Sequence, residues 1–104
     1  MKEIKSIAEY NEAISGKSVI MFTAGWCPDC VVIKPALPEI VKNFPDYDFY
    51  SINRDDFMDL CIELNIFGIP SFLGYQNGKE TGRLVNKARK TQEEVENFIK
   101  GLPS

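Results

Sequence analysis

The sequence predicts an α/β fold with a central mixed β-sheet and helices on both of its faces. Segments with apolar residues at helical spacing alternate along the chain with short segments typical of strands. One predicted strand, residues 19–22, is apolar throughout, as expected for a strand that is covered on both sides. The predicted order is α-β-α-β-α-β-β-α, within a single domain that spans residues 1–104.

Two of the predicted helices begin at capping-box patterns, in which a hydroxyl and a carboxylate three residues apart bond to exposed backbone N–H groups. Ser6 and Glu9 form the first pattern, and Gly16 is a suitable end for that helix. Thr91 and Glu94 form the second pattern, at the start of the last helix. The sequence therefore predicts where the chain enters its first and last helices.

Prolines and aspartates indicate the limits of the two middle helices. The first is expected to begin at Cys27-Pro28, because proline suits the first helical position. Pro35 lies inside its apolar stripe and should kink the helix, since proline cannot donate a backbone hydrogen bond. The second middle helix is short, with Asp55 or Asp56 as the predicted N-cap.

Three further strands are predicted at residues 48–53, 71–76 and 82–85. Asn77-Gly78 joins the last two and is typical of a two-residue hairpin turn. Residues 1–5 are mixed and polar, and we assign no strand to them.

Composition and charge exclude several classes of function. The net charge of −3 is mild and no basic face is concentrated in the sequence, which argues against a nucleic-acid partner. No apolar run reaches the roughly 20 residues that span a bilayer, and the N-terminus lacks the apolar stretch of a signal peptide. The three cysteines are an odd number, unlike a fully paired secreted scaffold. We therefore expect a cytoplasmic protein, monomeric and without a membrane partner.

The sequence contains no histidine, which removes Ser/His and Cys/His catalysis. Its chemistry is expected at Cys27 and Cys30, which lie three residues apart at a helix start and can form a reversible disulfide. The positive end of the helix favours a thiolate on Cys27, which would attack a target disulfide. Cys30, expected to be the more buried thiol, would then resolve the mixed disulfide.

The two residues between these cysteines should tune the chemistry. Pro28 removes an N–H group that could serve a sulfur, and Asp29 places a negative charge beside the pair, which opposes thiolate formation. Together they predict a reducing couple. The alternative is a zinc site, but one Cys-x-x-Cys pair supplies only two of four ligands. Cys61 is expected to pack in the core, and we expect neither a metal nor a bound cofactor.

Three segments together resemble the thioredoxin family: residues 24–30 (Ala-Gly-Trp-Cys-Pro-Asp-Cys), Pro35, and residues 68–71 (Gly-Ile-Pro-Ser). The order and spacing match from about residue 4 to residue 101, and Trp-Cys-Pro-Asp-Cys is similar to the motif of small thioredoxin-related reductases. The resemblance implies the thioredoxin fold and a thiol–disulfide oxidoreductase acting on protein or small-molecule disulfides. It also implies an external, flavin- and NADPH-dependent reductase as the electron donor.

The same resemblance implies a role for individual residues. Cys27 would be the attacking thiol and Cys30 the resolving thiol. Pro70 would follow a cis peptide bond, beside which an extended substrate segment could pair with the backbone. The residues expected to contact substrate are Trp26, Pro28, Asp29, Ile69 and Pro70.

The sequence departs from the family pattern beneath the dithiol. Family members often have a buried aspartate and a lysine that relay a proton to the resolving cysteine, whereas Met21 and Ser51 stand at the matching positions. Glu39 and Asp29 are the nearest candidate bases in the sequence. We therefore predict slower exchange than in a general thioredoxin, or narrower substrates.

Two alternatives remain open. The protein could be a thioredoxin-fold binding or adaptor module whose dithiol is a redox sensor or idle, docking through Trp26, Val31, Phe67 and Ile69. The basic loop at residues 87–90 is most simply a solvated positive loop, although its cations could also favour acidic disulfide partners.

Overall fold

The computed structural model describes residues 1–103 and contains a five-stranded mixed sheet. The strands are β1 (Lys2–Ile4), β2 (Lys17–Thr23), β3 (Asp48–Asn53), β4 (Ser71–Gln76) and β5 (Lys79–Leu84). Their order across the sheet is β1-β3-β2-β4-β5. β3 pairs in parallel with β1 and β2, whereas β4 runs antiparallel to β2 and β5. The predicted mixed sheet is confirmed.

The helices are α1 (Ile7–Ile14), α2 (Pro28–Ile33), α3 (Leu37–Asn43), α4 (Met58–Glu63) and α5 (Gln92–Lys100). A 3-10 turn at Lys34–Ala36 separates α2 from α3, so the single kinked helix predicted here is instead two helices, interrupted where Pro35 lies. No helix within residues 1–103 has the length and apolar character needed to cross a membrane.

Strand β1 was not expected from the sequence. It has only three residues, of which Ile4 alone is buried, so it is too short to show the alternation that identifies a strand. Its pairing with β3 forms one edge of the sheet. The hairpin strand β5 also begins three residues earlier than predicted, directly after the Asn77-Gly78 turn.

The helix caps agree with the sequence in part. Thr91 and Glu94 form the complete capping box at α5. Ser6 accepts a hydrogen bond from the Glu9 N–H (3.1 Å), but the Glu9 carboxylate bonds to the Lys5 N–H (2.8 Å), so this box is only half formed. The cap predicted for α4 at Asp55 or Asp56 was wrong, because no side chain caps that helix and both residues lie in a preceding 3-10 turn.

Strand β2 carries the core on both of its faces. Its apolar side chains alternate between two clusters, as expected for successive residues of a buried strand. Ile20 and Phe22 pack with Tyr10 of α1, whereas Val19 and Met21 pack with a cluster that includes Val95 of α5. Helices therefore cover both faces of the sheet, as the sequence predicted.

The strand directions bring four loops to one end of the sheet. At this end lie the carboxyl ends of β2, β3 and β5 and the amino end of β4. The register shows it, since the paired residues at this end are Phe22 with Ser71, Thr23 with Asn53, and Phe72 with Leu84. These loops hold residues 24–27, 54–57, 64–70 and 85–91. The predicted dithiol and the predicted cis-proline are thus placed side by side.

Candidate active site

Cys27 is the N-cap of α2, the position at which the helix leaves its first backbone N–H groups exposed. Its Sγ accepts a hydrogen bond from the Cys30 N–H (3.2 Å). The same thiol donates a longer contact to the Ile69 carbonyl oxygen (3.8 Å), which comes from the loop before β4. All three cysteines are free, so the structure represents the reduced dithiol. Cys27 therefore lies between a helix start and the backbone edge at Ile69.

Cys30 lies one turn into α2 and is as buried as its partner. The exposed fractions are 3% for Cys30 and 4% for Cys27, so the expected difference in burial is absent. Burial raises the pKa of the Cys30 thiol, and the contact with Cys27 raises it further, while the Thr23 side chain and the Ala24 backbone partly offset the shift. The neutral thiol is favoured at Cys30, so it needs a proton acceptor before it can attack.

The Ile69–Pro70 peptide bond is cis, as the resemblance implied. Both residues are buried, and the Ser71 hydroxyl donates to the Gly68 carbonyl oxygen, which fixes the chain on either side of the bond. Gly68 packs directly against the backbone of Asn86. The backbone edge beside Cys27 is therefore held by contacts on both of its sides.

Trp26 lies at the surface next to the dithiol and is 59% exposed. Its indole Nε1–H donates to the Asp55 carboxylate (2.7 Å), and the Arg54 guanidinium lies over the ring, 5.0 Å from its centroid. Arg54 and Asp55 also form an ion pair with each other (3.6 Å). Asp55 was predicted only as a helix cap and Arg54 was not predicted at the site, since neither residue is near Trp26 in the chain.

Asp29 is paired rather than free. Its carboxylate accepts a hydrogen bond from the Arg89 guanidinium (2.9 Å), which comes from the loop between β5 and α5. The interpretation of residues 87–90 as a solvated loop was wrong for Lys90, which is only 1% exposed, whereas Arg89 remains exposed while it pairs with Asp29. A run of cations in a sequence ordinarily indicates a solvated surface, so nothing local identified these two residues.

A partly open cavity of about 760 Å³ lies next to Cys30, on the face of the sheet that carries Met21. Met21 and Ser51 are paired neighbours in the sheet, and both line it. Neither candidate base from the sequence serves Cys30 in the structure: Asp29 bonds to Arg89, and the Glu39 carboxylate accepts from the Gln92 side chain (3.1 Å). The cavity therefore adjoins Cys30 on this side, and its lining includes one carboxylate residue, Glu3, which pairs with Ser51 in the sheet.

The third cysteine is a core residue. Cys61 of α4 is 4% exposed and packs in the apolar cluster on the Tyr10 face of the sheet. Burial raises the pKa of its thiol, which makes it a poor nucleophile. Within residues 1–103, no group of three or more cysteine, aspartate or glutamate side chains is arranged to hold a metal ion.

Comparison with known proteins gives a consistent result. A family model described as thioredoxin matches residues 2–101. The chain is 37% identical over 93 residues to an H-type thioredoxin from Fagopyrum esculentum, covering 84% of this chain and 79% of that protein. It is 30% identical over 92 residues to a thioredoxin from Mycoplasma genitalium, covering 86% and 90%.

A solved structure agrees with these sequences. The crystal structure of mitochondrial thioredoxin 3 from Saccharomyces cerevisiae, in its oxidised form, superposes with a TM-score of 0.85 at 25% identity, covering 98% of this chain and 95% of that one. The predicted α/β thioredoxin fold is therefore confirmed. Because the family model and both relatives cover most of its length, the chain belongs to the thioredoxin family of thiol–disulfide oxidoreductases.

Proposed function

We propose that the protein reduces disulfide bonds in proteins or small molecules, with Cys27 as the nucleophile and Cys30 as the resolving thiol. The observation that carries this proposal is the position of Cys27 Sγ, 3.2 Å from the Cys30 N–H at the helix start and 3.8 Å from the Ile69 carbonyl oxygen. A sulfur at that point can be stabilised as a thiolate and can meet a substrate that pairs with the Ile69 backbone.

The first step is attack by the Cys27 thiolate on one sulfur of the target disulfide. The Cys30 N–H and the positive end of α2 stabilise the attacking charge. The bond between the target sulfurs breaks as the Cys27–target bond forms, and the second target sulfur leaves as a thiolate that takes up a proton. The product of this step is a mixed disulfide.

The second step releases the target. Cys30 loses its proton and attacks the Cys27 sulfur, forming the Cys27–Cys30 disulfide and expelling the remaining target sulfur as a thiolate. Two electrons have then passed from the two cysteines to the target, and the protons that Cys27 and Cys30 released balance the two that the target thiolates take up. An external NADPH-dependent reductase would restore the dithiol, and the odd cysteine number supports a reducing compartment, the cytoplasm.

Substrate would bind along the edge formed by Trp26, Ile69 and Pro70. Ile69 offers backbone groups to an extended segment, in the manner of an added strand. Trp26 supplies an exposed aromatic surface, and the hydrogen bond from its indole N–H to Asp55 holds the ring in place. Pro28 is exposed and Asp29 half-buried at the start of α2, so both lie where they could contact the same substrate.

A trapping experiment tests the proposal. Cys30→Ser keeps the nucleophile but cannot complete the second step, so it should accumulate mixed disulfides that dithiothreitol releases. Cys27→Ser is the matched control and should trap nothing. Failure of Cys30→Ser to capture any disulfide-containing protein or small disulfide contradicts the proposal. Partners that remain bound when both cysteines are replaced would instead support the adaptor alternative.

The rate of thiol–disulfide exchange tests the finer proposal that this protein reacts more slowly than a general thioredoxin. Met21 and Ser51, which line the cavity next to Cys30, replace the aspartate and lysine of the family's proton relay. Neither residue can therefore take the proton from Cys30. We expect slower reduction of insulin than a general thioredoxin achieves under the same conditions. Equal rates would show that the relay is dispensable here.

A further inference from the structure

Lys90 carries an unusual buried charge. Within residues 1–103 it is the only lysine, arginine, aspartate or glutamate among the buried residues, at 1% exposed. Its Nζ donates to the backbone carbonyl oxygens of Asn86 (2.8 Å) and Ala88 (2.7 Å). Burial lowers the pKa of Lys90, and the nearby Glu94, Asp29, Cys30 and Cys27 side chains offset part of that effect. An ammonium group in this position holds its own loop together from the inside.

One end of that loop supports the backbone edge of the active site. Lys90 bonds to the carbonyl oxygen of Asn86, and Asn86 packs closely against Gly68. A Cβ added to Gly68 would lie 2.7 Å from the carbonyl carbon of Asn86. Gly68 precedes Ile69, the residue whose carbonyl contacts Cys27. A second bond, from the Ala88 N–H to the Asn86 side chain (2.9 Å), fixes the same turn.

The other end of the loop reaches the Cys-x-x-Cys motif. Arg89, adjacent to Lys90, places its guanidinium 2.9 Å from the Asp29 carboxylate. Asp29 lies in the first turn of α2, between the two cysteines. A free carboxylate there would oppose a thiolate on Cys27, whereas a paired one opposes it less.

We propose that Lys90 is a positioning residue that holds the loop at residues 86–90 so that Arg89 neutralises Asp29 and thereby increases the reactivity of the Cys27 thiolate. This proposal rests on the function proposed above, since it assigns a role to Cys27 as the nucleophile. The Lys90 ammonium donates its hydrogen bonds to the loop backbone and not to either sulfur, so its positioning role is exerted through Arg89, in addition to the direct effect of its charge on the nearby thiols. The reducing character expected from Asp29 is then set by the ion pair and not by Asp29 alone.

The test is the rate at which iodoacetamide alkylates Cys27 at pH 7, with the modified cysteine identified by peptide mass spectrometry. Iodoacetamide is uncharged, so the rate of alkylation reports the reactivity of the Cys27 thiolate and not an electrostatic attraction of the reagent to the site. Arg89→Gln should slow alkylation about two- to fivefold at low salt, the range expected for a solvent-exposed charge pair. The loss should shrink in 1 M salt, which screens the unmasked Asp29 charge.

Three further variants locate the effect. Lys87→Gln removes an exposed cation from the same loop and should leave the rate unchanged. Asp29→Asn should restore the rate in the Arg89→Gln background. Lys90→Met should slow alkylation at least as much as Arg89→Gln, because it also removes a charge near both thiols, and adding Arg89→Gln to Lys90→Met should slow it no further. A structural role alone would lower stability but would not produce this salt-dependent, non-additive pattern.

Several results would overturn the inference. These are an unchanged rate in Arg89→Gln at low salt, an equal loss in Lys87→Gln, or multiplied losses in the Lys90→Met/Arg89→Gln double variant. If circular dichroism shows that Lys90→Met does not fold, Asn86→Ala, which removes the bond to the Ala88 N–H, replaces it under the same requirement. Alkylation needs no disulfide substrate, so its outcome is independent of the trapping experiment that tests the proposed function.

Discussion

Replacing Gly68 with alanine should destabilise the protein, because the new methyl group has no room. Its Cβ would lie 2.7 Å from the carbonyl carbon of Asn86 and 3.0 Å from the Cα of Lys87, with the Asn86 oxygen nearer still. All three are backbone atoms, which cannot rotate away as a side chain can. Overpacking of this kind costs about 1–3 kcal/mol. For a domain of this size, that lowers the Tm by about 5–20 °C.

Thermal unfolding followed by circular dichroism measures this effect. Gly16→Ala is the matched control, because nothing lies within 4 Å of the Cβ added there, and its Tm should be unchanged or slightly higher. Turnover of a disulfide substrate should also fall in Gly68→Ala, by more than the unfolded fraction explains, since Ile69 must shift with Gly68. A Gly68→Ala variant as stable as the parent would refute the close packing of this loop on the active-site edge.

Three further predictions concern a buried tyrosine pair, the pH dependence of target release, and the surface at Trp26 beside the dithiol. Tyr10→Phe should cost about 1–2 kcal/mol in urea unfolding by leaving the buried Tyr75 hydroxyl unpaired (2.7 Å in the structure), and adding Tyr75→Phe should recover part of the loss. Because burial raises the pKa of Cys30, release of a purified mixed disulfide should keep accelerating above pH 9, and a plateau by pH 8 in stopped-flow data would contradict this. Asp55→Ala should free the Trp26 indole, shifting its fluorescence and raising the KM for protein disulfides about two- to fivefold with kcat little changed.

The fold was largely predictable because its signals are local. Capping residues, the proline inside a helical stripe and the Asn77-Gly78 turn each act within a few residues of their own position. β1 escaped prediction for the same reason: with only three residues, its identity as a strand depends on pairing with β3 and not on its own pattern.

The surroundings of the dithiol were less predictable because they depend on distant contacts. Trp26 and Asp55 are 29 residues apart, and Asp29 and Arg89 are 60 apart. Charged residues are ordinarily solvated, and Asp55 and Arg89 stay exposed, so no spacing rule indicates which distant residue each of them bonds to. Lys90 is the clearest case, since its sequence context of neighbouring cations predicts exposure and the fold buries it.

The loops of the active site all lie at one end of the sheet, so the other end is available for attaching a label. The Asn77-Gly78 turn lies at that far end, where its N–H groups bond to Gly16 (3.2 Å) and Ile14 (2.9 Å) and to no residue of the dithiol region. A fluorophore or an affinity peptide placed at this turn would be separated from Cys27 by the length of β4. Such a labelled protein could report captured targets without covering the surface that captures them.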